Sequence, residues 1–322
     1  MRPLTQPKWL AIFLFCTAAV LSCGREPTAP HPFVPNFIRL RSDPGDWVGS
    51  GKYYEYTQAN SIITVNTSDG WLHVWVSGEE GWQGAFRLNT SGRLEHGSGV
   101  GAFSWYGANV CNTIDGWFFV DTATYQDTAL TALDLQFEQH CGTAAGGLHG
   151  TIHWRAEDPT RPPGPVNPVP ADLWKPAAGA TPASGNYVYL TSDGHGDWVG
   201  QGQTWVYTPA NAFFGVTSGS GLFSVNLVAS PSWYGEFKAM SSVPDKLLVG
   251  YYGDLGRYPF NNPTKGGFDW FGDGRGCNSL RGWFAIDHIE YAADTLKAFD
   301  LRFEQHCEEV PPALHGAIHW VR

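Results

Sequence analysis

The 322-residue chain lacks the signatures of most well-known enzyme classes: it has no HExxH, no Gly-x-Ser-x-Gly elbow and no glycine loop leading into a basic residue and a helix. No two of its cysteines stand a few residues apart, which excludes a thiolate zinc site. Positive charge is scarce. Against 30 Asp and Glu there are 20 Lys and Arg, a net charge of −10, so nucleic acid and anionic membrane surfaces, which reward a basic patch, are excluded as partners. Amphipathic helix is missing too: the nearest stretch, 287–299, is too short and too polar, and no apolar run reaches the ~20 residues of a membrane-spanning helix.

What is present begins with an export signal. Arg2 and Lys8 precede an apolar run from Trp9 to Leu21, and the run ends in "VLSCG". Val20, Leu21 and Ser22 ahead of Cys23 resemble a lipoprotein cleavage box, with Leu21 standing where a small residue is commoner. The expectation is a signal peptide over 1–22 and lipidation at Cys23. The protein would then sit in the cell envelope, held to a membrane or the cell surface by lipid alone, or else be secreted. Cleavage removes two basic residues and no acidic one, taking the net charge to about −12.

An internal repeat dominates the rest. "LRSDPGDWVGSG" at 40–51 matches "LTSDGHGDWVGQG" at 190–202, and "WQGAF" at 82–86 matches "WYGEF" at 233–237. "CNTIDGWFFVD", "LDLQFEQHC" and "LHGTIHW" recur as "CNSLRGWFAID", "FDLRFEQHC" and "LHGAIHW". The division that follows is a Pro-rich tether over 23–36, a first domain over 37–155, a linker with eight prolines over 156–185 and a second domain over 186–322. Apolar residues alternate with period two, and Gly, Asn and Asp punctuate at strand length. The fold class is therefore all-β, two tandem β-sandwich or barrel-like domains.

Four cysteines remain after the signal and Cys23: Cys111, Cys141, Cys277 and Cys307. They allow three pairings, of which the equal 30-residue spacing inside the two copies favours Cys111 with Cys141 and Cys277 with Cys307, bridges suited to an exported protein.

The pentapeptide "FEQHC", at 137–141 and again at 303–307, raises the question of a reactive site. Alternation sends Phe137, Gln139 and Cys141 to one face and Glu138 and His140 to the other. If Cys141 opposes Leu148 in a hairpin, His140 faces His149. The second copy repeats the arrangement with Glu304, His306, His315 and His319, a donor set that suits zinc or another divalent ion, the one cofactor these residues could hold. The competing reading is a half-exposed sheet face on which His and Glu pair across strands.

"GDWVG", "GRGCN", "GWFAID", "FEQHCEE" and "PALHGAIHW" in the second copy resemble a β-domain of many secreted bacterial proteins, often in tandem and without an established activity. The resemblance implies a fold and no catalytic residues. It also implies that the position of His149 and His315 often carries Arg, which argues against a metal for the group.

The turns "SDPGD" and "SDGHGD" cluster Asp43 with Asp46 and Asp193 with Asp197, where tight-turn chemistry and a calcium loop are both readings. The second copy holds roughly fifteen extra residues within 250–278. There Tyr251, Tyr252, Tyr258, Phe260, Phe268, Trp270 and Phe271 interleave with Gly, Asn, Asp and Arg. Flat rings beside hydrogen-bonding groups are what a glycan site needs, so Tyr251, Tyr252, Tyr258, Trp270, Asp273 and Arg275 are the expected ligand-binding residues. The function expected is an extracellular ligand-binding module with a glycan as partner. The alternatives are a metal- or carboxylate-dependent hydrolase of extracellular polymer, with Glu236, Asp254, Asp269 and Asp273 as carboxylates to test, and a structural envelope component.

Overall fold

The structure, a computed structural model, describes residues 33–99 and 102–322. The expected signal, Cys23 and most of the tether lie outside the described residues. Among those described, no helix is long and apolar enough to cross a membrane.

The first copy contributes β1 (Phe37–Ser42), β2 (Tyr53–Thr57), β3 (Ile62–Ser68), β4 (Trp71–Ser77), β5 (Gly81–Arg87), β6 (Gly97–Ser98), β7 (Phe103–Tyr106), β8 (Ile114–Gln126), β9 (Ala129–Cys141) and β10 (Gly147–Arg155). The second contributes β11 (Tyr187–Ser192), β12 (Thr204–Tyr207), β13 (Phe213–Gly219), β14 (Leu222–Val228), β15 (Trp233–Lys238), β16 (Gly250–Arg257), β17 (Gly267–Gly272), β18 (Leu280–Ala292), β19 (Thr295–Cys307) and β20 (Leu314–Val321). The fold is all-β, and its large sheets curl into half-barrels.

In the second copy all ten strands join one sheet in the order β12-β11-β20-β19-β18-β16-β17-β15-β14-β13. In the first copy the equivalent strands split into a six-stranded sheet, β2-β1-β10-β9-β8-β6, and a four-stranded sheet, β3-β4-β5-β7. The split falls between β6 and β7. There the second copy has its extra residues, and they lengthen β16 enough to pair with both β18 and β17.

Each copy curls around its own core. In β4, "WLHVWVS", Leu72, Val74 and Val76 are buried while the intervening side chains are not, the period-two pattern that drives a half-buried strand. The second core gathers Trp233, Phe237, Phe268, Trp270, Phe284 and Phe303. Each such ring contributes about 2–3 kcal/mol by leaving water. Glycine makes room for them: a Cβ on Gly235 would sit 2.1 Å from the Trp270 ring and one on Gly316 2.0 Å from the Phe303 ring. Both expected disulfides form, Cys111 to Cys141 and Cys277 to Cys307, with Cα separations of 5.4 and 5.0 Å.

FEQHC is mostly architecture. Phe137 and Phe303 enter the cores. Gln139 and Gln305 are 1% exposed, and each clamps the backbone of a facing strand. Trp105 N–H donates to Gln139 Oε1 and Gln139 Nε2 donates to Trp105 O, both at 2.8 Å, and Gln305 repeats this on Trp270 at 2.9 and 2.8 Å. The hairpin register differs from the expected one. Gln139, not Cys141, opposes Leu148, and His149 opposes Glu138 rather than His140. The slip is two residues, so every side chain keeps its face while cross-strand partners change; Cys141 lies beyond the last pair, toward Cys111.

The linker is not a free spacer. Val166 and Tyr251 exchange backbone hydrogen bonds of 2.9 and 2.8 Å, and the Trp174 ring stacks on His315 at 4.8 Å. Arg302 donates to the Trp174 carbonyl. Part of the extra segment meets the first copy instead: Asn262 Nδ2 donates to Asn60 O at 3.1 Å, and Arg281 pairs with Glu79 at 2.5 Å.

Candidate functional site

Backbone alternation sorts the expected ligand-binding residues. Phe268 and Trp270 share a parity on β17 and point into the core, where Trp270 is fully buried, and Tyr252 is fully buried against Phe284 with ring centroids 4.4 Å apart. Neither can stack on a ligand, which corrects the expectation for both. Tyr251 packs against Trp283 and holds the linker. Arg275 donates to the Val199 carbonyl at 3.1 Å and pairs with Asp273 at 2.8 Å, pinning the turn after β17 to the "GDWVG" turn. Tyr258 stands at the head of the β16–β17 loop, half-buried.

The opposite parity builds a different site on the outer face of β15 and β17. Glu236 and Asp269 are direct cross-strand partners, as are Tyr234 and Phe271 beside them. Cβ atoms so paired stand about 5 Å apart. Arg257, at the end of β16, donates Nε to Asp269 Oδ2 at 3.0 Å. Its guanidinium lies 5.7 Å from the Phe260 ring, which is 80% exposed. Phe271 is 37% exposed and its ring is 5.4 Å from that of Tyr234.

The electrostatics of this face are unusual. Asp269 is 3% exposed, and its Oδ1 has no hydrogen-bond partner. Burial raises the Asp269 carboxyl above its ordinary pKa, with Arg257 pulling the other way. Burial also raises Glu236, and the Asp269 charge beside it adds to the effect. Two adjacent carboxyls that resist ionising together can hold a proton or donate to a hydroxyl. In the first copy the inward residues of these strands persist as Phe86 and Trp105, whereas Ala85 and Ser104 take the places of Glu236 and Asp269.

The expected metal set does not assemble. His319 Nδ1 pairs with Asp300 at 2.6 Å, four positions along the strand from Glu304. His315 is enclosed by acids, with Nε2 2.9 Å from Asp193 and Nδ1 3.3 Å from Glu304, and His306 Nε2 lies 3.1 Å from the same Glu304. Burial disfavours the His315 cation, but the contacts with Glu304 and Asp193 outweigh it and its pKa is raised. The bond to His315 leads in holding Glu304 down to about 2, with His306 adding to it. Each imidazole is thus turned to a carboxylate of its own or shared with a neighbour, and the set is spread along the sheet rather than gathered round one point. Among the described residues no three His, Cys, Asp or Glu converge as a metal site. Asp46 and Asp197 are turn residues: each carboxylate caps two backbone amides, those of Val48 and Gly49 and those of Val199 and Gly200.

The alternation in "FDWFG" and "WYGEF" was available in the sequence and groups Glu236, Asp269 and Phe271 on one face, but which face is the outer one follows from the curl of the sheet. The approach of Arg257 was not, since it depends on the short parallel pairing of β16 with β17.

Comparison with known proteins adds little. No family model and no curated protein matches the chain. A crystal structure of a protein of unknown function from the DUF3598 family of Nostoc punctiforme is similar at 8% identity and a TM-score of 0.20, over 89% of this chain and 94% of that one. A likeness at that level carries no argument about fold or function.

Proposed function

We propose that the chain is an exported, lipid-anchored envelope protein whose second copy binds a glycan on the outer face of β15 and β17. The observation that supports this reading is the Glu236–Asp269 pair, held by Arg257 and flanked by the solvent-facing rings of Phe260 and Phe271. Exposed rings offer flat apolar surface to a sugar, and the half-buried Glu236 carboxyl and Arg257 guanidinium offer an acceptor and donors to its hydroxyls, with the buried Asp269 holding Arg257 in place. The restriction of the acids to the second copy makes the first copy a partner or spacer for it. The loop from 258 to 266 supplies Phe260, so the extra segment belongs to this site as well as to the contact with the first copy.

A carboxylate-dependent hydrolase is the second reading, favoured by one observation: Glu236 and Asp269 face each other across two strands and both are raised by burial. One experiment separates the two. The full chain is screened against polysaccharides with reducing-end detection, beside Phe260→Ala, Glu236→Gln and Asp269→Asn. Retention weakened by all three changes with no new reducing ends supports binding. Reducing ends that vanish in Glu236→Gln or Asp269→Asn support hydrolysis, and no retention by any polymer overturns both.

A further inference from the structure

The loop that carries Phe260 is held from two sides. On the side of its own copy, Tyr258 N–H donates to Phe268 O at 3.1 Å and Phe260 N–H to Arg257 O at 2.8 Å. On the other side stands the first copy. Asn262 and Thr264 are buried, and the Asn262 side chain ties the loop to itself: its Oδ1 accepts from the Thr264 N–H at 2.9 Å and from the Thr264 hydroxyl at 2.8 Å. Its Nδ2 crosses to the Asn60 carbonyl of the first copy. Beyond it, Lys265 pairs with Asp254 and reaches Glu79 of the first copy at 3.7 Å. Arg281 pairs with the same Glu79 and approaches Asp254 at 3.5 Å and Glu309 at 3.6 Å.

The two parts of this contact differ in origin. The Asn60 turn is common to both copies: Asn60 Oδ1 accepts from Thr57 N–H at 2.8 Å and its Nδ2 donates to Glu55 O at 3.1 Å, as Asn211 does with Thr208 and Val206 at 2.7 and 3.1 Å. A turn that forms in either copy thus offers its carbonyl without rearranging. The charges are not common. Where Glu79 and Glu80 stand in the turn from β4 to β5, the turn from β14 to β15 has Ser230 and Pro231. Where β18 has Arg281, β8 has Asp115, and Lys265 belongs to the extra segment. The copies have diverged to acid on one side and base on the other at the place where they meet, the complementarity by which one surface selects another.

We infer that the first copy is a working part of the second copy's ligand face: Glu79, with the Asn60 carbonyl, positions the 258–266 loop and through it Phe260 and Arg257. What the loop binds rests on the glycan reading above; that the first copy orders it does not. The ion pairs of Glu79 are half-exposed, so salt weakens them, the screening length falling from about 10 Å at 0.1 M to about 3 Å at 1 M. The order of the loop is therefore sensitive to salt while residue 79 is acidic.

The test is amide hydrogen exchange of the full chain without ligand, read by mass spectrometry over 258–268 and, as internal reference, over β18 and β19. Expected is exchange of the loop about tenfold faster in Glu79→Lys than in wild type, with β18 and β19 unchanged, and a return toward the wild-type rate in Glu79→Asp. Raising NaCl from about 0.1 to about 1 M speeds the wild-type loop and does not speed that of Glu79→Lys. Glu79 is a half-exposed turn residue, so its replacement leaves the fold in place. A loop indifferent to Glu79→Lys, a wild-type loop indifferent to salt, or acceleration of loop and core hairpin together overturns the inference. Exchange needs no ligand, so failure here is distinct from failure of the glycan reading, which Phe260→Ala tests in the polysaccharide screen.

Discussion

Gln305 reaches across the second half-barrel and holds both backbone polar groups of Trp270, accepting from its N–H at 2.9 Å and donating to its carbonyl at 2.8 Å. Gln139 does the same for Trp105, so the central letter of FEQHC ties β17 to β19 within the one sheet of the second copy and joins the two sheets of the first.

Gln305→Ala strands a buried N–H and a buried C=O. An unsatisfied buried group costs about 1–3 kcal/mol, so the change lowers stability by roughly 2–4 kcal/mol, whereas Gln136→Ala, on the outer face, stays within about 0.5 kcal/mol. Denaturant unfolding of the two variants checks the contrast; equal effects would refute the clamp.

Trp270→Ala opens a cavity under Phe303 and Phe237 and costs about 3–5 kcal/mol. Phe260→Ala, at an exposed loop tip, leaves the melting temperature within error and weakens retention on the polysaccharide. A Trp270 variant that folds normally would place that ring outside the core.

Acid titrates the Glu304 cluster. Its carboxyl is depressed to about 2 from 4.5, so the stability it contributes is present above pH 4.5 and drains away as pH falls toward 2. His315 works from the other side: its pKa is raised, so its share is complete below the ordinary histidine value of about 6.5 and is lost as pH climbs through the folded value. The melting temperature of Glu304→Gln therefore falls less steeply than wild type between pH 4.5 and 2, and that of His315→Gln flattens above pH 6.5. Parallel curves for wild type and either variant would count against the pairing concerned.

Reduction opens two 30-residue loops. The chain-entropy relation gives about 3–4 kcal/mol for each. Cys277→Ser with Cys307→Ser should lower the stability of the second copy by that amount, and with it the midpoint of its unfolding, and leave the midpoint of the first copy in place, as separate cores require; calorimetry with one shifted transition is the readout.

The sequence by itself determined the all-β class and the repeat, favoured the disulfide partners and set the parity of β9 and β10, because period-two burial and thirty-residue cysteine spacing are local properties written along the chain. It also placed Glu138 and His140 outward and Gln139 inward, since a two-residue slip in register leaves faces unchanged. Only the tertiary structure decided which outward groups meet. His315 between Asp193 and Glu304, Arg257 on Asp269 and Trp174 on His315 depend on strand order, on one short parallel pairing and on a linker folding back. The loop aromatics show the same division: Trp270 and Phe271 are neighbours in sequence, yet one is core and the other surface, because the pleat turns successive side chains to opposite faces and only the curl of the sheet decides which face is dry.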